Sequence, residues 1–140
     1  APAGVLAPKS KSDLAFTMHM LSWLSTEGTA AIVEFPGVLY RGGAEQKIRK
    51  YLIDNNYVDT VIQLPQNLFF GVSIATCIIV LKKSKKENKT LFIDASQLFV
   101  HEGNKNKLSP ENIDAIVAEF AERREVKHFS ALIDNRTTFR

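Results

Sequence analysis

Residues 58–82 of this 140-residue chain are VDTVIQLPQNLFFGVSIATCIIVLK, and they contain the most informative pair of predicted strands. Two segments, 58–64 and 75–81, have the β-branched and apolar composition of strands. The ten residues between them are too few and too poor in helix formers for the connection that two parallel strands need. The two strands are therefore predicted to be antiparallel, with residues 65–74 as their loop.

The two strands differ in composition. Segment 75–81 (ATCIIVL) is continuously apolar, as a strand buried on both faces should be. Segment 58–64 is interrupted by Asp59, Thr60 and Gln63, which predicts a half-exposed strand.

The residues before this stretch predict a parallel pair of strands joined by a helix. A helix at 13–25 precedes a strand at 29–35 and an amphipathic helix at 44–55, so strands 29–35 and 58–64 should be parallel. In helix 44–55 the inward positions are Ala44, Ile48, Tyr51 and Leu52, and the outward positions are Glu45, Lys47, Arg49 and Lys50. Residues 1–12, broken by Pro2 and Pro8, are predicted to be irregular.

The residues after this stretch predict one more strand and one more helix. Segment 91–94 is a short strand, and Ser109-Pro110-Glu111 begins a helix with a cap and a proline in the first turn. The chain from Arg123 onward is basic and weakly patterned. We therefore predict an α/β fold with helices on the sheet faces, one domain at 1–132 and an unassigned tail at 133–140.

Composition excludes several classes of protein. The longest apolar runs fall far short of the roughly 20 residues that span a bilayer. The single cysteine, Cys77, excludes an internal disulfide and a cysteine-rich metal site, and it suits a reducing cytoplasm. Cys77 is predicted to be a small core residue. The three histidines lack ligand spacing, so no metal site is expected: they are His19, His101 and His128. A net charge of +3 permits DNA binding without requiring it.

Short motifs in order along residues 1–132 carry a resemblance to a known family. They are Asp13-Leu-Ala-Phe16, Glu27-Gly28-Thr29, Phe35-Pro-Gly-Val38, Leu39-Tyr-Arg-Gly-Gly43, Ile62-Gln-Leu-Pro65, Leu68-Phe-Phe-Gly71, Ile74-Ala-Thr76 and Ile78-Ile-Val-Leu-Lys82. With these motifs the chain resembles the carboxy-terminal half of the catalytic domain of the M subunit of type I restriction–modification systems. That family consists of adenine-specific N6 DNA methyltransferases.

The resemblance implies part of a Rossmann-like, S-adenosylmethionine-dependent methyltransferase sheet. Its parallel strands have an antiparallel strand inserted near the end, which fits 75–82 as the inserted central strand and 58–64 as an edge. The family's glycine-bearing cofactor loop and its Asn/Asp-Pro-Pro-Tyr/Phe catalytic motif do not occur in this sequence. We therefore expect S-adenosylmethionine to bind the full-length enzyme, and we expect no cofactor and no catalytic residue in this chain, which should be inactive alone.

The two adjacent phenylalanines, Phe69 and Phe70, are the candidate target-base pocket. An enzyme that modifies a base must remove it from the stack and hold it against an aromatic or apolar surface. The pair follows strand 58–64 at its carboxyl end, where α/β sheets bind ligands. In related adenine methyltransferases an aromatic residue of this region packs against the extruded adenine. The alternative is that both rings fill the core.

Two basic segments are weighed as DNA contacts. Arg41-Gly42-Gly43 lies between a strand and a helix, where glycines allow a phosphate to approach and arginine can bind it, although a tight turn with a solvated arginine has the same sequence. The lysine-rich segment 82–86 follows an antiparallel strand, so we expect it to be a solvated turn on the side away from the chemistry.

Three functions remain open at this point. The first is part of an adenine N6-methyltransferase acting in the cytoplasm with DNA, a specificity subunit, a second methyltransferase subunit and a restriction subunit. The second is a non-catalytic α/β module that packs against partner subunits or DNA. A generic nucleotide-binding domain is disfavoured because no phosphate-binding glycine fingerprint follows a strand. We also expect self-association through strand 29–35, whose neighbour in the family's sheet would be the strand bearing the catalytic motif.

Overall fold

A computed structural model describes residues 13–69 and 71–138 of the chain. The expectations for residues 1–12 and for Phe70 lie outside the described residues. The helices are α1 (Asp13–Trp23), α2 (Ala44–Asp54) and α3 (Pro110–Glu122), and a short 3-10 helix spans Pro36–Leu39. The strands are β1 (Thr29–Glu34), β2 (Val58–Gln63), β3 (Cys77–Lys82), β4 (Lys89–Asp94), β5 (Val100–Glu102), β6 (Lys105–Lys107) and β7 (Ser130–Asp134).

Five strands form the main sheet in the order β1-β3-β2-β4-β7. Strand β3 is antiparallel to both β1 and β2, which are therefore parallel to each other, and β2 is parallel to β4. Strand β7 adds an antiparallel edge beside β4. The predicted α/β fold with an antiparallel strand inserted between parallel strands is confirmed.

Helices cover the two faces of this sheet unevenly. On one face α1 and α2 pack over side chains that include Ile32, Val61 and Ile79, which form one core cluster. On the other face α3 packs over β4, in a second cluster that includes Leu91 and Ile93. Strand β1 exposes Val33 on this second face, where 52% of the residue is accessible. The apolar surface of the sheet therefore extends beyond its helical cover at β1.

The prediction that 58–64 is a half-exposed edge strand is wrong. Strand β2 lies between β3 and β4, and five of its six residues are buried. Its register with β3 shifts between Val58 and Thr60, so Asp59 occupies a β-bulge. Asp59 is buried because Arg123, at the end of α3, forms an ion pair with it at 3.1 Å. The polar residues of β2 are satisfied inside the protein and are not a sign of exposure.

Helix α2 has the predicted bounds to within one residue, but the prediction that Glu45 and Arg49 face outward is wrong. Glu45 and Arg49 are buried. Arg49 Nη1 donates hydrogen bonds to the carbonyl oxygens of Val38 and Arg41, and Glu45 accepts from Arg41. Burial lowers the pKa of Arg49, although neighbouring Glu45 raises it. The two charged residues secure the segment between β1 and α2.

Helix α1 carries apolar residues on its outer side as well as its inner side. Leu14 and Leu21 are buried, and Thr17 lies between them, while Phe16 and Trp23 are exposed. Within the described residues, no helix is long and apolar enough to cross a membrane.

The end of the chain is more ordered than its sequence pattern indicates. Helix α3 begins as predicted, with Ser109 and Asn112 exchanging hydrogen bonds in a capping box. Strand β7 was not predicted, and it runs past residue 132 to Asp134. Asn135 is buried beyond it and bonds to Thr90 and Asn56. The unassigned tail therefore contributes residues to the end of the sheet.

Candidate target-base pocket

The parallel strands β1, β2 and β4 end at one edge of the sheet, which we call the carboxyl edge. Phe35, Leu64 and Ala95 follow these strands. The ladder continues one step beyond the strands, because Leu64 N donates to Thr76 O and Ala95 N donates to Gln63 O, both at 2.9 Å. Ligands of open α/β sheets bind at such an edge.

A small cavity of ≈ 270 Å³ opens at the carboxyl edge between β1 and the β2–β3 loop. Its lining residues are Val33, Glu34, Phe35, Phe69, Val72 and Thr76. Phe69 is 42% exposed and Phe35 is 40% exposed. Pockets for drug-sized ligands occupy about 300–1,000 Å³. This cavity is therefore slightly smaller than the pocket of a drug-sized ligand, and most of its lining side chains are apolar or aromatic.

Five of the six lining residues were not singled out from the sequence as site residues, and two of them, Phe35 and Thr76, face each other across β1 and β3. In the β1–β3 register Glu34 is opposite Cys77, so the next position places Phe35 opposite Thr76 on the same face. Thr76 is buried, and its hydroxyl has no hydrogen-bond partner in the described parts of the chain. The signal for Phe35 was available, because it is the first residue after a strand of the parallel set. Nothing local marked Thr76.

The backbone around Phe69 forms a tight turn. Val72 N donates to Phe69 O at 3.1 Å, and Gly71, the third residue of this turn, has φ of 74°. That backbone conformation favours glycine. Phe69 therefore lies at the carboxyl edge of the sheet, as predicted, and its role as base contact stays a prediction.

Behind the cavity, the other face of β1 carries a buried carboxylate. Thr17 of α1 donates a hydrogen bond to Glu34 at 2.7 Å. Burial, with a smaller contribution from nearby Glu34, raises the pKa of the Cys77 thiol to about 12. Cys77 is thus a protonated core residue, as predicted, and a poor nucleophile.

The Arg41-Gly42-Gly43 turn lies apart from the residues that line this cavity. Arg41 Nε donates to both oxygens of Glu45, at 3.0 and 3.1 Å. Its guanidinium lies over Gly37, where an added Cβ would be 2.3 Å from Nη1. Gly42 and Gly43 are exposed, and Gly43 has φ of 69°. Arg41 is therefore engaged within the turn, and DNA contact at this turn stays a prediction.

The lysine-rich segment lies at the opposite edge of the sheet, as predicted, but it is only partly solvated. Lys83 Nζ donates to Leu24 O and Lys85 Nζ donates to Val58 O. Burial lowers the pKa of Lys85 to about 8, although Asp59 acts to raise it. The histidines His19, His101 and His128 are exposed, and residues 13–69 and 71–138 contain no cluster of three or more metal-ligating side chains.

Comparison with known proteins identifies the family. The model of the N-6 DNA Methylase family matches residues 1–137. The chain is 56% identical over 133 residues to the type I restriction enzyme MpnII methylase subunit of Mycoplasma pneumoniae, covering 94% of this chain and 24% of that protein. It is 34% identical over 137 residues to the MjaVII methylase subunit of Methanocaldococcus jannaschii, with coverage of 94% and 23%.

A solved structure agrees with these relatives. The crystal structure of a type I restriction–modification methyltransferase subunit from Streptococcus thermophilus superposes with a TM-score of 0.94 at 42% identity, covering 96% of this chain and 29% of that one. The chain spans about a quarter of the length of the curated relatives it matches. It belongs to the N-6 DNA methylase family.

Proposed function

We propose that this chain is part of a site-specific DNA adenine N6-methyltransferase of a type I restriction–modification system. The full subunit would transfer a methyl group from S-adenosylmethionine to the amino nitrogen of adenine. The family match and the identity to methylase subunits support this activity. The observation that supports a role for this segment in binding the target base is the aromatic cavity at the carboxyl edge.

In this proposal the cavity receives the target adenine. A base removed from the duplex needs an aromatic surface to replace its lost stacking. Phe69 provides one from the β2–β3 loop, and Phe35 provides a second aromatic side chain from the end of β1. Phe70 is the other candidate from the sequence, and it lies outside the described residues. The small volume of the cavity favours a single base over a longer ligand.

The aromatic cavity is too small for S-adenosylmethionine, and the family's glycine-bearing cofactor loop does not occur in this sequence. The cavity is smaller than the usual pocket of a ligand of that size, and the carboxylates at this edge are engaged, Glu34 by Thr17 and Asp94 by Ser96. We therefore infer that other parts of the full subunit hold the cofactor. Calorimetric titration of this chain with S-adenosylmethionine should give no saturable heat. Saturable one-to-one binding would contradict this inference.

The Arg41-Gly42-Gly43 turn remains a proposed DNA contact. Its exposed glycines would let a phosphate approach the first backbone amides of α2. Arg41 would contribute through the part of its guanidinium that is not paired with Glu45, because its side chain is 31% exposed. DNA contact at this turn would therefore depend more on the backbone than on a free arginine charge.

The proposed partners follow from the type I system. They are DNA, a specificity subunit that selects the site, a second methyltransferase subunit and a restriction subunit, and the proposed location is the cytoplasm. The matching relatives are themselves named as methylase subunits of type I restriction enzymes.

Product analysis tests the proposed activity. The full-length subunit containing this segment, assembled with its specificity subunit, is incubated with DNA and S-adenosylmethionine carrying a labelled methyl group. After digestion to nucleosides, the label is expected in N6-methyladenine. Label in a methylated cytosine would contradict the adenine specificity. Absence of transfer, with DNA still bound, would favour the non-catalytic module.

We also propose that the isolated chain self-associates through β1. This strand pairs only with β3 in the described sheet, and an open strand edge can pair with another chain. Sedimentation at several concentrations should detect association that Val33→Lys reduces. Val33 is exposed, whereas Ile32 is buried, and a lysine at Ile32 would disrupt the core. A monomer at all concentrations would contradict the proposal.

A further inference from the structure

The β5–β6 hairpin lies outside the main sheet and has little core of its own. Its strands, Val100–Glu102 and Lys105–Lys107, contain three residues each and pair only with each other. None of these six residues is buried. A two-stranded hairpin of this length is not stable by itself in water. Contacts with another segment must therefore determine where it lies.

Those contacts are hydrogen bonds to the loop that carries Phe69. Asn106 N donates to Asn67 O at 3.0 Å, and Asn106 Nδ2 donates to Gln66 O at 2.9 Å. Lys105 Nζ donates to Phe69 O at 2.7 Å. Two consecutive residues of β6 thus hold three carbonyl oxygens of the β2–β3 loop.

The loop needs such restraint because much of it lies in solvent. Gln66 and Phe69 are exposed, and Asn67 has a positive φ of 56°. The Val72 N–H bond to Phe69 O closes the turn but does not tie it to the rest of the protein. Without the hairpin, the direction of the Phe69 ring would be set mainly by the turn itself.

We propose that the β5–β6 hairpin positions the Phe69 ring for the target base, with Asn106 and Lys105 as positioning residues. This inference rests on the proposed function of the cavity. Stacking of a base requires the ring in one plane and place, and small displacements of groups around a reacting centre lower turnover substantially. Asn106 and Lys105 act through the loop backbone and need not touch the base.

Lys105 could instead serve as a phosphate contact, and the two roles give different results. A phosphate contact strengthens DNA binding, and its loss reduces the salt dependence of the dissociation constant. A positioning residue changes turnover at saturating DNA. Kinetics of a Lys105→Met variant, at two salt concentrations, separate these roles.

A double-mutant cycle between Asn106 and Phe69 tests the proposal. Rates are measured in the full-length assembled enzyme on its own recognition site, mapped beforehand by locating N6-methyladenine. Asn106→Ala should lower kcat about fivefold, as expected for one lost hydrogen bond, with DNA affinity unchanged. In a Phe69→Ala background the same change should lower kcat by less than about twofold, because Asn106 then has no ring to position.

Asn104→Ala is the matched control. Asn104 is exposed at the hairpin turn, and no hydrogen bond of its side chain is seen among the described residues, so this variant should keep the parental kcat. A parental rate for Asn106→Ala, or an undiminished fivefold effect in the Phe69→Ala background, would overturn the proposal. A change in DNA affinity alone for Lys105→Met would overturn the positioning role of Lys105. A parental rate for Phe69→Ala would overturn the base pocket and this inference together.

Discussion

The two edges of the sheet are built from different chemistry. At the carboxyl edge, Phe35 and Phe69 are partly exposed around a small cavity. At the opposite edge, Asp59 is buried against Arg123, which also forms an ion pair with Glu87 at 2.6 Å. The first edge leaves apolar surface uncovered, and the second satisfies buried charge. This difference indicates that the opposite edge stabilises the fold, whereas the carboxyl edge leaves open the surface that we propose for base binding.

The largest expected effect on stability is at Arg123. Its guanidinium bonds to Asp59, Thr60 and Lys89 O, so α3 and two strands meet at this side chain. Arg123→Ala would remove the ion-pair partner of the buried Asp59 carboxylate. The free energy of unfolding, from urea denaturation, should fall by about 3 kcal/mol.

Arg136→Ala is the control for this prediction. Arg136 also pairs with a carboxylate, Asp134, but its side chain is 86% exposed. Exposed ion pairs contribute little, so the free energy of unfolding should change by less than about 1 kcal/mol. Equal losses for the two arginine variants would contradict the assignment of stability to the Asp59 pair.

A smaller effect on the free energy of unfolding is expected from Lys85, which lies at the same edge of the sheet as Arg123. Its pKa is lowered from 10.5 to about 8 in the folded chain, so the unfolded chain binds more protons between these values. The contribution of Lys85 to the free energy of unfolding therefore rises with pH across that window. The raised pKa of Cys77 acts in the opposite direction above its ordinary value of 9.0.

Comparison with Lys85→Met isolates this contribution. Between about pH 8 and pH 10, stability of the parental chain should rise relative to the variant. Lys86→Met, at an exposed neighbouring position, should follow the parental curve. Parallel curves for the parent and Lys85→Met would show that Lys85 is not held at a lowered pKa.

The sequence predicts elements whose signals are local. Strand β3, from its apolar run, and the start of α3, from Ser109-Pro110, were predicted at the positions where the structure has them. The position of β2 inside the sheet was not predicted, because Asp59 is buried by an ion pair with Arg123, which lies 64 residues later in the chain. Glu45 and Arg49 were placed outward for a similar reason, since the partners of Arg49 are backbone carbonyls that no side-chain pattern reveals.

The candidate site was predicted only in part. Two aromatic residues in the β2–β3 loop indicated a pocket, and Phe69 does line one. Phe35 and Thr76 line the same cavity because of the β1–β3 register, which the sequence does not specify. The β5–β6 hairpin is short and polar, so it has no strand pattern, and its place depends on hydrogen bonds to the loop.

Methylation kinetics of the assembled enzyme with Phe69→Ala measure directly whether the target base binds at the carboxyl edge. Losing one base–aromatic stack costs about 1–3 kcal/mol, so kcat/KM should fall at least about fivefold. The melting temperature should change little, since Phe69 lies in a loop and is 42% exposed. Lys86→Ala, at the opposite edge, should retain the parental rate. Parental kcat/KM for a folded Phe69→Ala enzyme would show that the target base does not stack on this ring.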